Sequence, residues 1–89
     1  MTTPNSIIVY STTWCPDCRR TKQFLDQREI PYTWIDIDKD PAAAQEVLRI
    51  NGGMRSVPTL IFSDGSVLVE PSNKQLDEKL SASHKLKVD

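Results

Sequence analysis

A chain of 89 residues, 38% hydrophobic and 26% charged, carries material for one small domain with a single core. Its 11 lysines and arginines stand against 12 aspartates and glutamates, and no basic stripe is interleaved with aromatics, which argues against a nucleic-acid partner. No apolar run of membrane length and no apolar leader is visible, so a cytoplasmic, reducing setting without a membrane partner is expected.

The first element is Ile7-Ile8-Val9-Tyr10, a β-branched and aromatic run suited to a buried central strand, closed by Ser11, Thr12 and Thr13. Both cysteines follow at once in Trp14-Cys15-Pro16-Asp17-Cys18. Pro16 suits the first turn of a helix, where its missing N–H costs nothing, and the spacing predicts a helix from about Cys15 to Gln27 with Phe24 and Leu25 on its buried face. After the break at Pro31, Tyr32 to Ile37 reads as a strand with Ile35 and Ile37 on one face. Asp40-Pro41 opens a second helix with an apolar stripe of Ala43, Ala44, Val47 and Leu48, and Asn51-Gly52-Gly53 stops it. Val57 to Phe62, the turn at Asp64-Gly65, and Val67-Leu68-Val69 form a hairpin. Ser72 and Gln75 make a capping box for a last helix carrying Leu76 and Leu80. The order predicts an α/β fold in which a parallel βαβ unit and an antiparallel hairpin share one sheet. A single domain over residues 1–89 is expected, ordered over about 6–81, with 82–89 as a loose tail.

Three readings of the cysteine pair compete. A disulfide closing a loop of four residues contributes roughly 2 kcal/mol before strain, so a structural staple would span more chain. Zinc needs four ligands, and His84 is the one remaining nitrogen donor. A redox pair fits better. Cys15 falls at a helix N-terminus, where unpaired N–H groups and the helix dipole stabilise a thiolate, and Cys18 lies one turn in. Cys15 is therefore the expected nucleophile and Cys18 the resolving thiol, exchanging through a mixed disulfide. Asp17 opposes an anionic sulfur, while Arg19, Arg20 and Lys22 favour it; taken alone, the two arginines read as a solvated helix face.

Trp14 offers a flat surface for docking substrate, or a core residue. Pro58 suits the start of a strand; next to a redox pair it reads instead as a cis proline that would present the backbone of Val57 beside Cys15, so that an extended substrate pairs as at a strand edge.

The order of elements, Tyr10-Ser11-Thr12-Thr13-Trp14-Cys15-Pro16-Asp17-Cys18, and Ser56-Val57-Pro58-Thr59 together resemble the glutaredoxin branch of the thioredoxin superfamily from Ile7 to about Leu80. The resemblance implies a thioredoxin fold, a four-stranded mixed sheet (β1-α1-β2-α2-β3-β4-α3) flanked by three helices, with Pro58 as the cis proline. It also implies a thiol-disulfide oxidoreductase acting on S-thiolated or disulfide-containing proteins, working as a monomer without a bound cofactor. Glutaredoxins usually carry a lysine where Thr12 stands, an aromatic residue where Asp17 stands, and a Gly-Gly followed by aspartate near Val69-Glu70-Pro71-Ser72. Those groups grip glutathione, and Asp17 and Glu70 would repel it. Asn51 to Thr59 and Val69 to Ser72 instead resemble the mycoredoxins, which act on mixed disulfides of mycothiol, a sugar-linked cysteine without a carboxylate. The implied co-substrate is such a low-molecular-weight thiol, with Trp14, Pro16, Asp17, Arg55, Val57 and Pro58 lining its site; an exposed ion pair is the other reading of Arg55. Trp-Cys-Pro-Asp-Cys is also shared with a thioredoxin-related protein fed by a flavin reductase, which keeps a thioredoxin-type reductase open as electron source. A third class is a carrier in which two chains hold an iron–sulfur cluster through an exposed Cys15 thiolate and an external thiol.

Overall fold

The computed structural model describes residues 7–88, with side chains described over 7–81. Helical backbone runs on to Val88 where the sequence suggested a loose tail at 82–89, and the side chain of His84, the other nitrogen donor, lies outside those described. The elements are β1 (Ile8–Ser11), α1 (Pro16–Gln27), β2 (Thr33–Asp36), α2 (Pro41–Ile50), β3 (Thr59–Ile61), β4 (Val67–Val69) and α3 (Asn73–Val88). They form the expected mixed four-stranded sheet with three helices, and the strands lie in the order β2-β1-β3-β4. β1 runs parallel to β2 and antiparallel to β3, and β3 pairs antiparallel with β4.

Alternation along the strands divides the core between the two faces of the sheet. Val9 lies opposite Trp34 on one side and Leu60 on the other, and Leu60 lies opposite Leu68. These four pack with Ile7, Phe24, Leu25, Phe62 and Leu76, which brings α1 and α3 onto that face. Ile8, Tyr10, Ile35 and Ile61 point the other way and meet Ala43 and Val47 of α2, with Ile37 joining them. Leu25, Leu60 and Leu76 are fully buried, so truncating any of them to alanine costs about 2–5 kcal/mol.

The helix ends obey local rules. Asp40 caps α2 by accepting the N–H of Ala43 at 3.1 Å. Ser72 and Gln75 exchange two hydrogen bonds, the N–H of Ser72 donating to Oε1 of Gln75 at 2.9 Å and the N–H of Gln75 donating to Oγ of Ser72 at 3.1 Å. Gly52 adopts φ 62° after α2, which lets the Gly53 N–H reach back to the Leu48 carbonyl at 2.7 Å. α1 closes in the same way with Glu29 at φ 56°, a left-handed conformation that glycine would adopt without steric penalty.

Two loops that matter for the site are tied to this frame. Thr59 Oγ1 donates to the Ser56 carbonyl at 2.7 Å and accepts from Asn51 Nδ2 at 3.1 Å, which fixes the segment 51–58 against β3. The Glu70 N–H donates to the Pro58 carbonyl at 2.8 Å, which joins the end of β4 to the start of β3. Among the described residues, no helix is long and apolar enough to cross a membrane.

Candidate active site

Cys15 is the N-cap of α1. Its backbone is extended (φ −88°, ψ 117°), and its Sγ accepts the N–H of Cys18 at 3.2 Å, the bond that Ser or Asp makes at an ordinary N-cap. Pro16 follows at the first helical position. An anionic sulfur here meets an N–H donor and the positive end of a helix of 12 residues. The Val57–Pro58 peptide bond is cis, and the Val57 carbonyl lies 3.9 Å from Cys15 Sγ, within reach of a thiol proton. This covering leaves Cys15 only 7% exposed, less open than the exposed thiolate expected at a bare helix end.

Cys18 is fully buried on the core side of α1, and both cysteines are free thiols. Its thiol is pushed up to about 12 by burial, then by the hydrogen bond with Cys15 and by the charges of Cys15 and Asp17; a backbone hydrogen bond with Thr12 acts in the opposite direction. The two sulfurs are therefore chemically inequivalent: one caps the helix beside the Val57 carbonyl, the other is held neutral on the core side.

The charges around the pair lie on a helix face open to solvent, and the two arginines also bond to neighbouring loops. Arg19 folds back to the Thr13 carbonyl through Nε at 3.3 Å and Nη2 at 3.1 Å. Arg20 reaches Asp17 at 3.5 Å, donates to the Pro71 carbonyl at 2.8 Å and to Asn73 Oδ1 at 2.7 Å. It thus ties the carboxylate between the cysteines to the turn before α3. Lys22 points elsewhere and pairs with Asp26 at 3.1 Å.

Trp14 is exposed at 66%, not a core residue, and its Nε1 donates to Asp38 Oδ2 at 2.8 Å. The other oxygen of Asp38 is paired with Arg55. Trp14, Arg55 and the Val57 backbone are thus brought to one rim beside Cys15, with Asp17 held by Arg20 on α1. Asp38 itself was not legible in the sequence, because in Asp36-Ile37-Asp38-Lys39-Asp40 it reads as one acid of a polar turn. Thr12, by contrast, is 1% exposed, so its side chain is closed to any ligand. Glu70 stands at φ 49°, a conformation suited to glycine, in the stretch where a Gly-Gly is usual.

A mixed four-stranded sheet with a paired thiol at the start of α1 and a cis proline opposite it defines a thiol-disulfide oxidoreductase of the glutaredoxin kind, and the glutaredoxin family pattern matches residues 7–68. The chain belongs to the glutaredoxin family. It is 43% identical over 75 residues to a candidate glutaredoxin of Mycobacterium tuberculosis, covering 84% of this chain and 89% of that protein. It is 37% identical over 78 residues to mycoredoxin 1 of Corynebacterium glutamicum, covering 88% of this chain and 96% of that one. A solved thioredoxin-like protein superposes with a TM-score of 0.71 at 32% identity, covering 81% of this chain and 96% of that one.

Proposed function

We propose that this protein reduces mixed disulfides between proteins and a low-molecular-weight thiol, with a mycothiol-type thiol favoured over glutathione, in the reducing cytoplasm. The observation that carries the reading is the N-cap position of Cys15, whose sulfur meets the Cys18 N–H at 3.2 Å and the Val57 carbonyl at 3.9 Å. Cys15 as thiolate attacks one sulfur of the mixed disulfide; that S–S bond breaks, a new Cys15–sulfur bond forms, and the departing thiolate takes a proton from solvent. Burial is the first cause that keeps Cys18 protonated, and the hydrogen bond and charge of Cys15 add to it; adduct formation removes the latter two. Cys18 then gives its proton to solvent and attacks the Cys15 sulfur; the bond between Cys15 and its bound partner breaks, the partner leaves as a thiolate and takes up a proton, and the Cys15–Cys18 disulfide remains. A second low-molecular-weight thiol attacking the adduct gives the alternative exit.

Asp17, Glu70 and the closed Thr12 position support a thiol without anionic ends, since a dianionic tripeptide finds no free cation at these three places. The exposed indole of Trp14 and the Val57 backbone supply the docking surface. The likeness to a thioredoxin-like protein favours a second reading, a protein disulfide reductase recharged by a flavin thioredoxin reductase.

One set of assays separates these. Reduction of the same S-thiolated protein is followed with mycothiol, with glutathione and with a thioredoxin reductase as electron supply. A kcat/KM for the mycothiol mixed disulfide at least about tenfold above that for glutathione, equivalent to about 1.4 kcal/mol, supports the first reading. A preference of that size for glutathione overturns it, and efficient turnover by thioredoxin reductase alone moves the assignment to the second.

A further inference from the structure

We infer that Asp38 is a positioning residue that sets the charge selectivity of the site, by cancelling the charge of Arg55 and holding the indole of Trp14. This deepens the function proposed above and rests on its assignment of Cys15 as the nucleophile.

Asp38 lies in the turn between β2 and α2, and its own N–H donates to Asp36 Oδ1 at 2.9 Å, so the turn that carries it is fixed. Its two carboxylate oxygens serve two different loops. Oδ2 accepts from Trp14, the residue before Cys15, and Oδ1 pairs with Arg55, two residues before the Val57 carbonyl that faces Cys15. The three side chains thus bridge the two segments that flank the sulfur.

The electrostatic consequence follows from the pairing. Arg55 is the nearest described cation to the Val57–Pro58 segment in sequence, and an unpaired guanidinium there would attract an incoming carboxylate in a bidentate manner. Asp38 occupies it from the side, while both partners remain partly open to solvent, at 52% for Arg55 and 39% for Asp38. On α1, Asp17 and Arg20 form a second pair of opposite charges. Both flanks of the site therefore present compensated charge and an aromatic face. That surface suits a neutral, polyhydroxylated thiol and offers little to an anionic one. Asp38 does not touch the reacting atoms; it acts through its two partners.

The test uses the full chain in a Cys18→Ser background, where the adduct on Cys15 persists. The two probes are 2-hydroxyethyl disulfide, which is neutral, and dithiodiglycolate, which is dianionic. In each case the probe's S–S bond breaks, a bond forms between Cys15 Sγ and one half, and the other half leaves with the electron pair as a thiolate. The quantity read is the ratio of second-order rate constants, anionic over neutral, at low and high salt. Asp38→Asn keeps an oxygen acceptor for the indole and frees the charge of Arg55, so the ratio should rise about two- to fivefold at low salt and lose that gain at high salt. Arg55→Gln exposes Asp38 instead, and the ratio should fall by a similar factor. The double variant should return close to the parent value. Equal slowing with both probes in Asp38→Asn, or a gain that survives in the double variant, overturns the role given to Asp38. Absence of any adduct in the Cys18→Ser parent is a different failure, which sinks the assignment of Cys15 and the inference with it.

Discussion

Cys15 and Cys18 are joined through the backbone of one and the sulfur of the other: Cys15 Sγ accepts the Cys18 N–H at 3.2 Å, so the atom proposed to attack substrate also caps α1. The pairing of roles separates stability from reactivity. Serine is among the best N-cap residues, and Cys15→Ser should keep the fold while reducing mixed-disulfide turnover by at least about a thousandfold. Cys15→Ala removes the cap as well and should cost a further 0.5–2 kcal/mol or about 4–8 °C per kcal/mol in Tm. Thermal melts of both variants beside the activity assay check this; a serine variant as unstable as the alanine one would refute the capping role.

The buried thiol of Cys18 makes the reduced protein sensitive to alkali. Its thiol ionises near 9 in an unfolded chain and is pushed up to about 12 in the fold. Above pH 9 the unfolded state therefore binds fewer protons than the folded one, and the linkage slope is negative: stability present below pH 9 is lost as pH rises towards 12. Urea unfolding of reduced wild type and of Cys18→Ser, compared at about pH 8 and about pH 10.5, isolates this group from the other titrating side chains. The stability difference between the two should shift against the wild type at the higher pH. A constant difference would mean that Cys18 is not held neutral.

Arg20 joins three parts of the site through Asp17, the Pro71 carbonyl and Asn73. Its bond to Pro71 is partly buried and bears a full charge, so it exceeds an ordinary surface ion pair in worth. Arg20→Met keeps the apolar stem and deletes the head. The expected outcome is a loss of about 1–2 kcal/mol with faster amide exchange in the 69–72 segment. Unchanged exchange there would show that the turn holds without the arginine.

Much of this fold was legible because its determinants are local. The capping box of Ser72 and Gln75 spans three residues, Gly52 follows its helix directly, and the alternation of Val9 against Ile8 and Tyr10 needs only the period of a strand. The cysteine pair was legible for the same reason, since the N-cap, the proline and the buried second sulfur all fall within one helical turn. What escaped was set by topology. Trp14 meets Asp38 across 24 positions and Arg20 meets Pro71 across 51, and no pattern in the chain marks either acceptor. Arg20 looked merely solvated because the Pro71 carbonyl it reaches comes from a loop placed only by the folded sheet, whereas Arg19 stays exposed and reaches back just six positions to Thr13. The Val57 carbonyl beside Cys15, 42 positions away, is the exception, because a proline at 58 next to a redox pair already marked that approach.

Thr12 gives a prediction that runs against the usual direction of core substitutions. It is 1% exposed just past β1, and its buried hydroxyl oxygen has no hydrogen-bond partner among the described residues. A buried hydroxyl without a partner has lost water and gained nothing, whereas an apolar group of the same shape avoids that cost. Valine matches threonine in shape and in its branched β-carbon, and the backbone bond between Thr12 and Cys18 does not involve the side chain that changes. Thr12→Val should therefore raise stability by about 0.5–1 kcal/mol, seen as a higher urea midpoint with an unchanged m-value. Turnover of a small mixed disulfide should stay within about twofold, because the position is closed to substrate. A drop in the midpoint would show that the hydroxyl is satisfied in solution, and a large fall in turnover would show that its dipole reaches the sulfurs.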